Sequence, residues 1–244
     1  MKLKLISCEA LYREFCFAAA NSPHIIDVKF IAFGLHDTPD DLRTAIQAEI
    51  DATEGRDYEA IILGYGLCSR GTADITARSI PLVLPRAHDC ITLFLGSRAA
   101  YNAEFGEHPG TYYYTSGWIE RKHGEVQQGY IDQTHARRTQ ERYAEYVEKY
   151  GEDNAGFLIE QESLWLANYS RAALIDVDLG NVEEYRRFTR ELAASHGWEY
   201  AEIRGDLSLI QRLANGEWDS DDFLTVAPGQ TVRESFDEMV VRGE

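Results

Sequence analysis

Short apolar runs alternate with helix-forming segments along the first part of the chain. The runs are rich in β-branched residues and predict four strands, at residues 2–7, 25–33, 58–63 and 82–84. Helical segments follow the strands, at residues 9–20, 40–53, 72–78 and 89–102. A repeated strand–helix order of this kind predicts a parallel sheet that is covered by helices on both faces.

The second part of the chain has the same number of predicted strands without repeating the sequence. These strands lie at residues 111–116, 172–177, 199–203 and 223–227. Helices are predicted at residues 137–150, 154–169, 182–196 and 207–214, and a loop or small hairpin at residues 119–136. We therefore expect an α/β protein with two Rossmann-like lobes, residues 1–107 and 108–244, whose mainly parallel sheets face a cleft. A single larger doubly wound sheet is the alternative.

The composition is that of a globular protein with a strongly acidic charge. The 244 residues are 44% hydrophobic and carry a formal net charge of −17. This charge argues against general binding to nucleic acid or to an anionic membrane, because both need clustered Lys and Arg. No apolar run approaches the roughly 20 residues needed to cross a bilayer. We expect a cytoplasmic protein whose four cysteines are reduced, metal-ligating or catalytic and not disulfide-bonded.

Three of the cysteines come directly after a predicted strand. Cys8 follows the first strand, Cys68 the third and Cys90 the fourth. Because the carboxyl ends of parallel strands lie along one edge of a sheet, the three thiols can converge there. Thiolates are soft ligands for zinc or for an iron–sulfur cluster, and three protein ligands leave one position open, as in catalytic zinc sites. His88 is then a ligand or a proton-transferring group beside the centre.

The cysteines are also compatible with a site that holds no metal. One alternative is a metal-free reactive thiol, and another is simple core packing, since free Cys is among the most buried residue types. Cys16 lies between two phenylalanines on the first predicted helix, and core packing accounts for it better than metal binding does.

A glycine-rich turn precedes the second of these cysteines. Gly64 and Gly66 flank Tyr65, but the turn is neither a Walker loop nor a G-x-G-x-x-G fingerprint, because the lysine and the third glycine are missing. The glycines predict a close approach of the backbone, or a positive φ, beside the thiol. Backbone N–H groups there, together with Arg70 and Arg86, are candidates for holding an anionic group of a substrate or cofactor. A plain tight turn is the alternative.

An unusual aromatic strand begins the second half of the chain. Tyr112 and Tyr114 share one face of this strand, Tyr113 has the opposite face, and Trp118 follows. We predict that Tyr112 and Tyr114 supply phenol groups or a stacking wall to the cleft and take part in catalysis. An aromatic core strand is the alternative.

Four sequence motifs resemble one known family. LISCEALYRE, LGYGLCSRGT, PRAHDCITLFLGSR and HPGTYYYTSGWIE are similar to the motifs of the bacterial and archaeal family called domain of unknown function 1638, over nearly the whole chain. Its members are often encoded near corrinoid-dependent methyltransferases and corrinoid proteins. The resemblance therefore implies methyl-group or one-carbon metabolism, with a corrinoid protein or methyltransferase as a partner.

These observations lead to three hypotheses from different classes. The first is an enzyme in which Cys8, Cys68 and Cys90 hold zinc and His88 moves a proton on a small-molecule substrate. The second places a [4Fe–4S] cluster on the same cysteines and makes the protein an electron carrier. The third is a non-enzymatic, two-lobed module that binds a small molecule or a corrinoid protein.

Overall fold

The computed structural model describes residues 1–121 and 135–244. Most of the predicted loop or hairpin at residues 119–136 lies outside these ranges. The strands are β1 (Lys2–Cys8), β2 (Ile25–Ile31), β3 (Ala60–Gly64), β4 (Leu82–Pro85), β5 (Thr111–Tyr114), β6 (Arg171–Asp176), β7 (Glu199–Arg204), β8 (Phe223–Val226), β9 (Val232–Glu234) and β10 (Val241–Gly243).

Helices connect most of the strands, as the alternating pattern predicts. They are α1 (Tyr12–Asn21), α2 (Pro39–Asp51), α3 (Cys90–Leu95), α4 (Arg98–Glu107), α5 (Ser116–Glu120), α6 (His135–Tyr150), α7 (Glu152–Ser163), α8 (Val182–His196) and α9 (Ser208–Asn215). No helix in the described part of the chain is both long enough and apolar enough to span a membrane.

The first sheet has the strand order β2-β1-β3-β4-β8. Strands β1 to β4 run parallel, which brings the carboxyl ends of β1, β3 and β4 together at neighbouring positions. Both faces of this sheet are covered. Ile61 and Leu63 belong to the apolar layer under α2, whereas Ala60 and Ile62 belong to the layer under α1, α3 and α9. Each fully buried Leu or Ile contributes about 1.5–3 kcal/mol to stability.

The last predicted strand of the second half belongs to the first sheet. β8 pairs antiparallel with β4, from Leu82 opposite Val226 to Pro85 opposite Phe223. It closes an edge of β4 that otherwise presents unpaired backbone groups. The apolar pattern of β8 predicts that a strand exists, but it carries no information on which sheet edge the strand joins.

A second, smaller sheet has the order β5-β6-β7, and all its strands are parallel. Helix α8 packs against it, and β9 and β10 form a separate antiparallel ribbon. The α/β class with parallel sheets is therefore confirmed.

The predicted helices at residues 89–102 and 72–78 differ from the structure, and the predicted helix at residues 154–169 ends as an α-helix at Ser163 and continues as a 3-10 helix over Leu164–Asn168. The predicted helix at residues 89–102 is divided into α3 and α4, because Gly96 has a φ of 77° and Ser97 caps α4 by accepting a hydrogen bond from the Ala100 N–H. At residues 72–78 no helix forms: residues 72–74 lie in a turn, and Thr76 pairs with Thr231.

Helices α1 and α5 meet at a buried carboxyl group. Glu14 of α1 is 0% exposed, and the Ser116 hydroxyl of α5 donates a 2.6 Å hydrogen bond to its Oε1. Burial raises the pKa of Glu14 to about 7, and Glu120 adds to this effect, while the Ser116 hydrogen bond and Arg13 oppose it. The folded protein therefore holds the Glu14 proton more tightly than the unfolded chain does.

This carboxyl group predicts a pH-dependent stability. Its folded pKa of about 7 lies above the ordinary value of 4.5, so the free energy of unfolding falls as the pH rises through that window. The expected loss is about 3 kcal/mol between pH 4 and pH 8. Glu14→Gln, which stays neutral, is expected to remove most of this fall when urea unfolding is measured across the range. Glu107→Gln, at an exposed position, serves as the control and is expected to change nothing. An unchanged pH profile in Glu14→Gln would contradict the assignment.

Candidate functional site

Three cysteines lie at the carboxyl edge of the first sheet and line a single cavity. Cys8 ends β1, Cys68 lies in the loop after β3, and Cys90 begins α3 after β4. The cavity has a volume of about 260 Å³. Its lining consists of Cys8, Ala10, Leu11, Ala32, Phe33, Leu35, His36, Leu42, Gly64, Tyr65, Cys68, Ser69, His88, Asp89, Cys90, Ile91 and Trp118. The structure thus brings the three thiols together from distant parts of the chain.

The loop that carries Cys68 is attached to the loop that carries Cys90. The N–H groups of Leu67 and Cys68 donate to the carbonyls of Ala87 and His88, at 2.8 Å and 2.9 Å. These bonds join the loop after β3 to the loop after β4. The two cysteines are therefore held on loops that are hydrogen-bonded to each other.

The two glycines before Cys68 permit this close approach. A Cβ on Gly66 would lie 2.7 Å from the Asp89 nitrogen, and one on Gly64 would lie 2.4 Å from the Phe15 ring. Neither glycine has a positive φ. Of the two reasons that the sequence suggests, close approach of the backbone is the one that applies.

The backbone at Cys68 itself is strained. Cys68, Ser69 and Arg70 have φ values of 47°, 55° and 71°, so three successive non-glycine residues are left-handed. This conformation costs roughly 1–2 kcal/mol per residue. The Gly71 N–H bonds the Cys68 carbonyl at 2.9 Å and stabilises the turn. Strain of this kind persists only where the surroundings impose it, and it is concentrated at functional sites.

One of the three sulfurs accepts a hydrogen bond, and N–H groups also favour the thiolates of the other two. The Ala10 N–H donates to Cys8 Sγ at 3.4 Å. The N–H groups of Gly66 and Cys90 favour the thiolate of Cys68, and the Trp118 side chain favours that of Cys90. Donors directed at sulfur stabilise thiolates, and they also tune thiolate-bound metal centres.

Burial nevertheless makes the bare thiolates unfavourable. It raises the pKa of the Cys8 thiol to about 11, and it also raises the pKa values of Cys68 and Cys90, with Asp89 and the neighbouring thiols adding to the effect at these two. A free nucleophilic cysteine usually lies where nearby positive groups lower its pKa. The environment here acts in the opposite direction, which argues against a metal-free reactive thiol.

Aromatic side chains form one wall of the cavity. Phe33 and His36 come from the loop after β2, and Trp118 comes from α5. The Phe33 and Trp118 rings meet edge to face at 4.9 Å, and His36 lies 5.8 Å from Trp118. Neither Phe33 nor His36 is among the residues predicted from the sequence. Their position after the carboxyl end of a parallel strand is the same signal that identified the cysteines.

His88 lies between two cavities. It lines the cysteine cavity and also a second one of about 680 Å³, to which Ser97, Arg98 and Asn102 contribute. Its ring stacks on Tyr101, with 6.0 Å between the ring centres. The structure therefore places His88 on the wall of the cysteine cavity.

Both carboxylate oxygens of Asp89 accept hydrogen bonds from neighbouring residues. Its Oδ1 caps α3 by accepting a 2.9 Å hydrogen bond from the Ile91 N–H, and the Tyr101 hydroxyl donates to its Oδ2 at 3.3 Å. Burial raises the pKa of this carboxyl group above its ordinary value. Asp89 thus fixes the start of the helix on which Cys90 lies.

Tyr112 and Tyr114 lie in the core of the second sheet and not at the cavity. They are 8% and 0% exposed. Tyr112 packs on Tyr169 with ring centres 5.3 Å apart, and Tyr114 packs on Phe188 at 5.7 Å. Their face of β5 is the one that α8 covers, because both side chains share an apolar cluster with α8. Their position is that of an aromatic core strand.

Arg70 and Arg86 also lie away from the cavity. Arg70 forms an ion pair with Glu234 at 3.0 Å. The Arg86 guanidinium donates to the carbonyls of Ser220 and Met239, at 2.9 Å and 3.2 Å. Both side chains hold the C-terminal segment and lie outside the lining of the cysteine cavity.

The three thiols of the cavity are chemically suited to bind a soft metal ion. Three thiols with N–H donors, in apolar surroundings, are ligands that zinc and iron–sulfur clusters use. As the side chains are placed, no three His, Cys, Asp or Glu residues in the described ranges form a group that could hold a metal ion.

The fold and the cavity together define the class of protein. It is an α/β protein with a cavity lined by three thiols at the carboxyl edge of a parallel sheet. The chain belongs to a family described as protein of unknown function, DUF1638, whose family model matches residues 30–214. Cys68 and Cys90 lie within this match, whereas Cys8 precedes it. No curated protein and no solved structure matches the chain.

Proposed function

We propose that this protein is an enzyme in which Cys8, Cys68 and Cys90 hold zinc and the adjoining cavity binds a small-molecule substrate. The observation that carries the proposal is the convergence of three thiols, from three strand ends, on one cavity of about 260 Å³. This volume exceeds what a single ion needs, so it leaves space for a ligand beside the metal.

The local structure supports a functional role over simple packing. A buried cysteine in a core needs neither N–H donors directed at its sulfur nor three successive left-handed residues. The left-handed residues cost stability, and the N–H donors fix the orientation of the sulfurs. A metal centre needs ligands that are oriented in this way. A bound cation also offsets the unfavourable burial of thiolates.

Each group at the site has a distinct role in this proposal. Cys8, Cys68 and Cys90 would hold the zinc through their thiolates, and the metal would supply a Lewis acid. His88 is the one imidazole that borders both cavities among the described residues, and it holds or transfers a proton there. Phe33 and Trp118 exclude water from the thiols.

The two sheets also suggest how a substrate reaches the cavity. We propose that the two mainly parallel sheets act as two Rossmann-like lobes and that the substrate enters between them. The supporting observation is Trp118, which lies on α5 just after β5 and lines the cysteine cavity of the first sheet.

The metabolic setting is supported by the family resemblance alone. It favours methyl-group or one-carbon chemistry, with a corrinoid protein or a methyltransferase as partner. No described contact identifies such a partner.

A [4Fe–4S] cluster on the same cysteines is the second candidate. The observation that favours it is the Ala10 N–H hydrogen bond to Cys8 Sγ, because such hydrogen bonds adjust the potential of iron–sulfur clusters. In this case the protein transfers electrons to a partner.

Metal and acid-labile sulfide analysis of untagged protein, purified without oxygen, separates the candidates. About one zinc per chain and no visible colour is the expected result under the first proposal. Iron with sulfide and a brown colour would replace it with the cluster. Folded protein with neither group, and with no uptake of zinc or of iron and sulfide, would overturn both and leave a binding module.

A further inference from the structure

The side chain of Tyr65 is buried in the cysteine cavity with its hydroxyl group unpaired. Tyr65 lies between the two glycines after β3 and is 3% exposed. It lines the cavity, and its phenol interacts electrostatically with Cys8 and Cys68. No residue in the described part of the chain forms a hydrogen bond with the hydroxyl oxygen.

An unpaired buried hydroxyl is costly, and a phenylalanine would avoid that cost. Leaving such a group without a partner destabilises a protein by roughly 1–3 kcal/mol. Native structures contain few groups of this kind, and each calls for a specific explanation. Its position on the cavity wall indicates that its partner is a molecule bound there.

The other residues that line the cavity indicate the polarity and charge of this molecule. Phe33, Leu35 and Trp118 present apolar and aromatic surface, and neither Lys nor Arg lines the cavity among the described residues. In the metal-free protein, a carboxylate or phosphate would therefore find no Lys or Arg partner, only the imidazoles of His36 and His88, and would meet Asp89 and the thiols. A neutral oxygen, in contrast, needs only one donor.

We infer that the Tyr65 hydroxyl donates a hydrogen bond to the ligand of this cavity, and that the ligand is a small, uncharged molecule with an apolar body and one acceptor oxygen. Tyrosine keeps its proton at neutral pH, so the donor is present. An apolar cavity of roughly 150 Å³ accepts benzene, and this one has about 260 Å³, enough for a substituted ring. Identifying this ligand as the substrate rests on the proposed function, but its binding does not require the metal.

A matched pair of probes tests the hydrogen bond. Acetophenone carries an acceptor oxygen, and ethylbenzene has nearly the same shape without it. Calorimetric titration of full-length, metal-free, reduced protein gives both dissociation constants in the wild type and in Tyr65→Phe. The ratio of the acetophenone affinity to the ethylbenzene affinity is expected to fall about fivefold to tenfold in Tyr65→Phe. The ethylbenzene affinity is expected to change less than about twofold, because the apolar wall is unchanged.

A second variant and a second readout keep the test decisive. Tyr58→Phe removes a hydroxyl that bonds Asp27 away from the cavity, and it is expected to leave the ratio unchanged. Without any ligand, Tyr65→Phe is expected to melt at or above the wild-type Tm. An equal ratio in wild type and Tyr65→Phe, failure of both probes to bind, or a clearly lower Tm would each overturn the inference.

The metal content of the same samples separates this inference from the proposed function. Tyr65→Phe leaves the three thiols in place, so its metal uptake is expected to equal that of the wild type. A protein that binds no metal but shows the change in ratio would retain the inference and lose the enzyme proposal. A protein that binds metal but shows no change in the affinity ratio would retain the enzyme proposal and lose the inference.

Discussion

Cys68→Ser is expected to reduce bound metal from about one equivalent per chain to less than about a tenth. Serine has nearly the same shape as cysteine, but its oxygen is a poor ligand for a soft metal. The hydrogen bonds that shape the loop come from backbone groups, including the Cys68 N–H to the His88 carbonyl, so the substitution leaves them intact. Metal analysis after reconstitution with zinc, or with iron and sulfide, measures the effect.

Cys16→Ser is the matched control for this variant. Cys16 lies on α1, outside the lining of the cavity, and is partly exposed. The control is expected to keep its full metal content. The Tm of metal-free Cys68→Ser is expected to stay close to that of metal-free wild type, which shows that the loss is not a result of unfolding. Equal metal in Cys68→Ser and wild type would rule out this cysteine as a ligand.

Gly117→Ala is expected to have the largest effect on stability among single substitutions at the site. A Cβ at Gly117 would lie 1.9 Å from the Ala10 carbonyl oxygen, which is backbone and cannot move aside as a flexible side chain does. Helix α5 must therefore shift away from the turn after Cys8. We expect a loss of about 2–3 kcal/mol in the free energy of unfolding and a fall in Tm of about 5–10 °C.

The same shift displaces the aromatic wall. Trp118 follows Gly117 directly, so the affinity for ethylbenzene in metal-free protein is expected to fall together with the Tm. Gly156→Ala is the control, because Gly156 lies within α7 and a Cβ added there would have no described atom within 4 Å. Alanine there is expected to stabilise the protein by about 0.5–1 kcal/mol. A Gly117→Ala variant with wild-type Tm would show that α5 does not pack as described.

The sequence alone determined strands β1 to β4 of the first sheet and the position of the thiols relative to them. Apolar runs of strand length end at Cys8 and just before Cys68 and Cys90, and these are local patterns. Parallel strands share one direction, so residues that follow them lie at one edge. Whether the thiols meet depends on β1, β3 and β4 being neighbours, and that order arises from the packing of the whole sheet.

Side-chain environments were decided by tertiary contacts. The two-residue period of β5 puts Tyr112 and Tyr114 on one face, but only the packing of α8 makes that face a core. Arg86 precedes the candidate ligand His88 closely in the sequence. Its guanidinium nevertheless donates a hydrogen bond to the carbonyl of Met239, far along the chain. β8 joins β4 for the same reason, since its pairing partner is not encoded within its own apolar pattern.

The cavity shows the same division most clearly. The chain itself determined that three cysteines and His88 follow strand ends, because strand and helix periods are properties of short segments. Only the folded protein decided that Phe33 and Trp118 enclose the thiols, and that the Tyr65 hydroxyl lies among them without a described partner. These contacts join residues from separate elements, and burial in a shared space has no signature in local sequence.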